Sequence, residues 1–374
     1  MGIQMKFVLS FKVCQRWLVG LALGCGLLLG CQSSTAQQAP EAAKQPEETL
    51  VYYAWPGYMP QAVLDAFTAE YGIKVDYQQY DSQKDAIEKI KAGRVCDVVV
   101  IDNDLIPSLV TDGLLAEIDY RYVPNFKNIS ANFRDLVYDP NNKHTIPFNW
   151  GTTGLLYRRD QLKTPVTRWG DLWDRRYAGK VAIWALQRPL LPIALKRLGY
   201  SVNSEKSSEL NQALQSLLEL KNNVTFVDLE QVSVTPNLES GQALIAYGWA
   251  YDALANQSTS QNIAYVLPQE GTILWGDNLV IMAHSQHKKA AELFLNFLLR
   301  PQIGAQIVNE LYYANANEAA RQFVKPELAN NPLIYPSNSD LKNAEIMLPP
   351  SPAGKKLYDE IWDRFMTAVQ AKAK

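Results

Sequence analysis

LVYYAWPGYMPQAVLDAFTAEYGIKVDYQQYDSQKDAIEKIKAGRVCDVVVI, residues 50–101, switches hydrophobic period four times in 52 residues. Leu50 to Ala54 reads as a short strand. Pro60 to Tyr71 reads as a helix, with Val63, Leu64, Phe67 and Tyr71 on one face and Gly72 as its stop. Ile73 to Tyr80 is strand-like again. Ser82, with Asp85 three residues on, resembles a capping box that opens a helix ending near Gly93. Asp97 to Ile101 is apolar enough to be a buried strand. Strand–helix–strand–helix–strand implies an α/β fold, a mostly parallel sheet with helices on both faces. In such sheets ligands sit beyond the carboxyl ends of the strands.

The alternation continues downstream. Gly179 to Trp184, Ala243 to Tyr247 and Leu279 to Ala283 read as strands. Pro192 to Leu198, Glu205 to Leu220 and Lys288 to Leu299 read as helices, the last stopped by Pro301. A long amphipathic helix closes the chain from about Pro352 to Lys372. Upstream, Lys6, Lys12 and Arg16 precede an apolar run from Trp17 to Gly30, the layout of a signal peptide and too short for a comfortable membrane span. Leu27-Leu-Leu-Gly-Cys31 resembles a bacterial lipobox. Residues 1–30 are therefore expected to be a lipoprotein signal peptide. Cys31 is expected to be the lipidated first residue of the mature protein, and 31–48, rich in Gln, Ala, Ser, Pro and Glu, a flexible tether. That places the protein in the periplasm, lipid-anchored to a membrane.

About 344 residues remain, enough for two lobes of ordinary size. A formal charge of −2 gives no electrostatic case for nucleic acid. Of four cysteines only Cys96 stands in the folded part, beside Val98 to Ile101, so it reads as a buried, inert thiol. His284 and His287 are three apart, but Lys288 and Lys289 beside them suggest a solvated loop rather than a metal site. No Gly-x-Ser-x-Gly elbow, His-Glu-x-x-His, Cys-x-x-Cys or phosphate loop is present, so nothing argues for an enzyme or a cofactor.

Binding has positive signals. Aromatic residues stand beside turn residues or carboxylates at predicted strand ends: Trp55-Pro-Gly-Tyr58, Trp249-Ala-Tyr-Asp252, Trp275-Gly-Asp277 and Tyr312-Tyr313. Indole and phenol faces attract cations through the ring quadrupole, and a nearby carboxylate makes charge-assisted hydrogen bonds to an ammonium. Rings along an alkyl chain and carboxylates at its charged ends would suit an elongated amine. The same rings would serve equally as core packing.

The chain resembles the periplasmic spermidine/putrescine-binding proteins of polyamine ABC importers from about residue 50 to 370. The segments that carry the likeness are Val51-Tyr-Tyr-Ala-Trp55, Tyr71-Gly-Ile-Lys-Val75, Ile146-Pro-Phe-Asn-Trp150-Gly, Trp169-Gly-Asp-Leu-Trp173, Leu198-Gly-Tyr-Ser201, Trp275-Gly-Asp277, Phe297-Leu-Leu-Arg-Pro301, Asn317-Glu-Ala-Ala-Arg321 and Tyr335-Pro336. The resemblance implies a two-lobed type II periplasmic-binding fold with the ligand between lobes. It divides the chain into 49–147 plus 277–322 and 148–274 plus 325–374, with crossings near 148, 275 and 323. It also implies a monomer that docks on a membrane permease. By position, Trp55, Tyr58, Trp249, Asp252, Trp275, Asp277 and Tyr313 match the family's pocket, and Asp277 matches the carboxylate that holds an inner amine.

Departures are as informative. Leu186 and Pro189 fall at or near positions where relatives are acidic, Gly57 replaces a glutamate, and Met347 a glutamine. Asp102 and Asp104 stand where relatives carry hydroxyls. Fewer carboxylates favour fewer charges on the ligand, or a ligand with its own carboxylate. The expectation is a polyamine; a different amine or amino acid, ferric ion bound through Tyr52-Tyr53 and Tyr312-Tyr313, and a non-transport sensor or assembly subunit are the alternatives.

Overall fold

The computed structural model describes residues 48–227, 233–255 and 261–373. The signal segment, Cys31 and the tether up to residue 47 lie outside them. Folded structure begins slightly earlier than the sequence suggests. Glu48 already accepts a hydrogen bond from the Lys74 N–H, and its carboxylate lies 3.1 Å from His287 Nδ1.

Opening elements follow their local signals closely. Strand β1 (Thr49–Ala54) leads through Pro60 into α1 (Gln61–Tyr71), which buries Val63, Leu64 and Phe67. Gly72, at φ 68°, closes that helix in the left-handed region and returns its N–H to Thr68. After β2 (Lys74–Gln79), the Ser82 hydroxyl accepts the Asp85 N–H and starts α2 (Gln83–Lys91). β3 (Val98–Asp102) is buried except at its last residue, and α3 (Ile106–Thr111) follows. Cys96 is fully buried, which pushes its thiol up to about 12.

Then comes β4 (Thr145–Arg158), 14 residues long, which the sequence reading did not anticipate. It is followed by β5 (Val181–Trp184), α4 (Gln187–Arg197), α5 (Ser207–Leu220), β6 (Val224–Val227), α6 (Thr235–Glu239), β7 (Ile245–Trp249), α7 (Ala250–Ala255) and β8 (Ile263–Val266). β9 (Ile273–Ile281), α8 (Lys288–Leu298), α9 (Pro301–Leu311), β10 (Ala314–Asn315), α10 (Pro326–Ala329), β11 (Glu345–Ile346) and α11 (Pro352–Ala373) complete the order. Pro301 ends α8 as expected, but it also opens α9, because a proline at the first helical position lacks only a donor that would be idle there.

The strands form one sheet in the order β2-β1-β3-β9-β4-β7-β5-β6, with β8 and β10 on β4 and β11 on β9. Pairings among β1, β2 and β3, and among β5, β6 and β7, are parallel. β9 and β4 run antiparallel to their main-path neighbours, so the sheet is mixed, parallel toward both edges and antiparallel in its centre.

Apolar burial is divided. One set of cores takes residues from 50–148 and 279–316, among them Tyr52, Phe67, Phe148, Phe294 and Phe297. The other takes residues from 155–273 and 358–365, among them Trp169, Trp184, Tyr247 and Phe365. β4 serves both, through Ile146 and Phe148 at one end and Leu155 and Leu156 at the other. Its register shifts between Pro147 and Trp150, where proline has no N–H for the ladder. A small cluster joining Leu254 to Val308, Val324 and Ile334 lies apart from both sets.

Candidate functional site

Asp102, the last residue of β3, stands directly opposite Asp277 of β9 in antiparallel register. Residues so opposed share a face of the sheet with Cβ atoms about 5 Å apart. Their two carboxyl groups therefore face each other across the strand pair and interact electrostatically. Asp277 is buried and Asp102 half-buried. Burial raises both carboxyls above their ordinary range, and the charges of Asp277 and Asp104 raise Asp102 further.

Each carboxyl is held by a designated neighbour. Gln83, the buried first residue of α2, donates Nε2 to Asp102 Oδ1 at 2.7 Å and accepts the Asp102 N–H at 3.1 Å. The Tyr58 hydroxyl donates to Asp277 Oδ2. Tyr58 is itself fixed from the β1–α1 turn, since its N–H donates to the Tyr77 hydroxyl at 2.8 Å, and that hydroxyl donates to the Trp55 carbonyl.

Aromatic faces close around this pair. Tyr313 lies 5.6 Å from the Tyr58 ring, meets Trp275 edge-on at 5.5 Å, and stacks on Tyr251 at 4.9 Å and 25°. Tyr312 ends α9 in the left-handed conformation at φ 60°, a backbone state a tyrosine rarely takes, and the turn it makes delivers Tyr313 to the cluster. Trp275 lies against the main chain of Gly151, its register partner on β4; a Cβ there would come within 2.7 Å of indole Cε2. Burial raises the Tyr313 phenol well above its usual value, followed by Tyr251 and by the charges of Asp252 and Asp277. Tyr313 thus stands within electrostatic reach of both carboxylates.

Asp252 is buried at the start of α7, where its Oδ1 accepts the Ser233 hydroxyl at 2.6 Å and its Oδ2 the Trp249 N–H at 2.9 Å. Burial pushes its carboxyl up to about 6, against the pull of those two donors. Trp249 turns to Trp184, 5.2 Å away. Trp55 meets Tyr80 edge-on at 4.7 Å, and the Tyr80 phenol is raised by burial and then by Asp277 and Asp102. Asp104 is committed elsewhere: its Oδ2 lies 3.1 Å from Arg188 Nε, and Arg188 Nη2 donates to the Leu348 carbonyl at 3.0 Å.

Of the nine residues the sequence singled out, Tyr58, Asp102, Trp275, Asp277 and Tyr313 come together. Asp252 lies within electrostatic reach of Tyr313, Trp55 joins through Tyr80, Trp249 packs on Trp184, and Asp104 is ion-paired. Trp275 and Asp277 lie inside β9 rather than after a strand, a correction that follows from β9 starting at Ile273. Sequence reasoning passed over Tyr251, Gln83, Tyr80 and Arg188. Tyr251 sits inside a segment quoted for its neighbours, and Arg188 stands between the two positions noted as having lost acids. Of the tyrosines proposed for ferric ion, Tyr52 and Tyr53 separate: Tyr52 packs on Phe294 in one core and Tyr53 on Tyr80 in another, as successive strand residues must. What remains is a small acidic centre walled by phenol and indole rings, suited to desolvating and holding an organic cation.

Comparison with known proteins agrees in kind. The family described as bacterial extracellular solute-binding protein matches residues 62–336. The spermidine/putrescine-binding periplasmic protein of Escherichia coli K12 is 31% identical over 94% of this chain and 98% of its own length. The putrescine/agmatine-binding protein of Pseudomonas aeruginosa is 28% identical over 92% and 98%. In three dimensions, the spermidine/putrescine ABC transporter substrate-binding protein PotD of Streptococcus pneumoniae superposes with a TM-score of 0.78 at 27% identity, covering 86% of this chain and 99% of that one. The fold is that of the periplasmic binding proteins.

Proposed function

This chain belongs to the bacterial extracellular solute-binding proteins, and we propose that it captures a small polyamine of the putrescine or spermidine class and delivers it to an ABC importer in the membrane. One observation carries the reading: a facing carboxyl pair, half-buried Asp102 and buried Asp277, with Tyr58, Tyr313 and Trp275 around it. Removing water from an ammonium costs several kcal/mol unless a partner replaces that water. The carboxyl pair replaces the water, and the rings exclude the rest. Asp252, within electrostatic reach of Tyr313, supplies a second negative charge for the other end of a diamine. The relatives' names point to the same ligand class.

The working cycle we propose uses two lobes, 49–147 plus 277–322 and 148–274 plus 325–374, which close on ligand and then dock as a monomer on a permease. The division of the cores and the passage of β4 and β9 between them favour that boundary. A ligand touching both lobes stabilises the closed state by that contact alone. The cell locates the protein outside the cytoplasm, as with the periplasmic relatives, held by lipid on Cys31. Calorimetry of the purified protein against putrescine, spermidine, spermine, agmatine, 4-aminobutyrate and basic amino acids tests the function. Uptake of no amine by the protein would overturn it.

A second reading, a ligand with an amine at one end and a carboxylate at the other, is favoured by the Arg188 guanidinium beside Asp104. Preference for 4-aminobutyrate over putrescine in the same panel would select it. Under the polyamine reading Arg188 limits ligand charge, because it neutralises Asp104. Arg188→Gln should therefore raise spermidine affinity relative to putrescine, and Asp104→Asn, which bares the guanidinium, should lower it. Each change is expected to be roughly fivefold to thirtyfold, the effect of about 1–2 kcal/mol from one partly screened charge. Equal shifts for both ligands would remove Arg188 from specificity.

Acidity gives a further expectation. A cation favours ionised Asp252, so the bound state must shed any proton that residue carries. Putrescine affinity should fall as the pH drops through about 6, by up to tenfold per unit for one proton. Part of that fall should vanish in Asp252→Asn, as titrations at several pH values would show.

A further inference from the structure

We propose that the inner ammonium of the ligand is seated by Asp102 and Asp277 together and that it displaces a single proton the two carboxyls share in the empty protein. The inference rests on the polyamine reading for its ligand and on the geometry of this chain for its mechanism. Asp102 and Asp277 face each other across β3 and β9. Two ionised carboxylates have only acceptors to offer each other, so carboxyls that face each other with no cation between them are held together by one shared proton. Their other partners are uncharged: Gln83 from α2 on Asp102 and the Tyr58 hydroxyl on Asp277.

Charged and titratable groups around the pair leave the proton there. Tyr52 of β1, Tyr80 after β2, Tyr58 before α1 and Tyr313 before β10 face it as phenols that burial keeps neutral. Asp104, from the turn after β3, adds a like charge that makes a second ionisation harder, an effect partly offset by Arg188, which sits on Asp104 rather than on the pair. No lysine or histidine among the described residues pairs with either carboxyl. Burial raises both groups, and the charge of Asp277 raises Asp102 further, in the direction that the facing geometry requires. When R–NH₃⁺ arrives it offers three N–H donors, so both carboxylates can ionise against it. The proton leaves to solvent, the ammonium keeps all of its own, and the site changes from one negative charge to two.

Consequently the pair is a seat matched to a primary ammonium: two acceptors on one face, with rings on the others. A hydroxyl at position 102 would donate one hydrogen bond to Asp277 and require no proton exchange.

Two measurements on the full-length protein test this. Carboxyl ¹³C NMR of the empty protein, with Asp102→Asn and Asp277→Asn as assignments, should show one aspartate titrating well above the ordinary value of about 4. That titration should return toward the ordinary range in either variant. Calorimetry of putrescine binding in buffers of different ionisation enthalpy, at the midpoint so found, should show about half a proton more released by the wild type than by Asp102→Asn. Ordinary titration of both carboxyls with putrescine still bound overturns the exchange and leaves the function standing. An elevated shared titration in protein that takes up no amine overturns the function, and the exchange with it.

Discussion

Replacing Asp277 with alanine is expected to weaken putrescine binding by about 2–5 kcal/mol, roughly thirtyfold to several thousandfold. The lower end applies if Asp102 alone carries the ammonium. Freed from its like-charged neighbour, Asp102 ionises more readily, and Gln83 still holds it in place. The upper end applies if the cation needs both acceptors, because an ammonium with one carboxylate keeps part of its desolvation cost. Alanine also leaves the Tyr58 hydroxyl without its acceptor, and a buried orphan hydroxyl costs about 1–3 kcal/mol of stability. Asp277→Asn separates the two effects. Its amide oxygen can still accept from Tyr58, so the fold should hold while the charge is gone. Thermal unfolding of both variants beside their binding isotherms gives the partition. If Asp277→Asn binds putrescine as the wild type does, Asp277 is not the anchor.

How much of this was legible in the sequence depended on how local each signal was. α1 and α2 were readable because their stops and caps, Gly72 and Ser82, act within four residues. The parallel strands β1 and β3 were readable as apolar runs between turn residues. β4 was not, since Pro147, Asn149, Gly151 and Gly154 break its pattern, and each of those residues answers a partner far away in sequence. Placing Trp275 and Asp277 at a strand end failed for the same reason, since β9 begins two residues earlier by pairing with β4 and β11. Residue types in the site were legible as aromatic and acidic clusters, yet the partners were not. Nothing near Asp104 in sequence announces that Arg188 pairs with it, and nothing near Asp102 announces that Asp277 faces it across the strand pair. Those facts belong to strand register and to chain crossings more than 80 residues apart.

Gly151→Ala is expected to damage stability and binding together, because one methyl group would occupy space the Trp275 indole now fills. The Cβ would lie within 2.7 Å of Cε2, well inside contact distance, and β4 is anchored on both sides by β9 and by β7, so the strand has little freedom to give way. The ring must therefore move, away from Gly151 and into the space beside Tyr313. Overpacking of this kind costs about 1–3 kcal/mol of folding stability. Loss of one ring face from a bound cation weakens putrescine binding by roughly 0.5–2 kcal/mol. Gly154 supplies the control. A Cβ there meets the Val266 carbonyl at 2.5 Å and the Tyr265 hydroxyl at 2.7 Å, away from the rings around Asp277. Gly154→Ala should thus cost stability while leaving the affinity of the folded protein intact. The decisive comparison is a double-mutant cycle. With Trp275→Ala in place the indole is gone, Gly151→Ala meets no obstacle, and its stability cost should shrink to a few tenths of a kcal/mol. If the two changes add instead of cancelling, Gly151 does not act through Trp275, and the small residue at that position has no part in shaping the wall of the site.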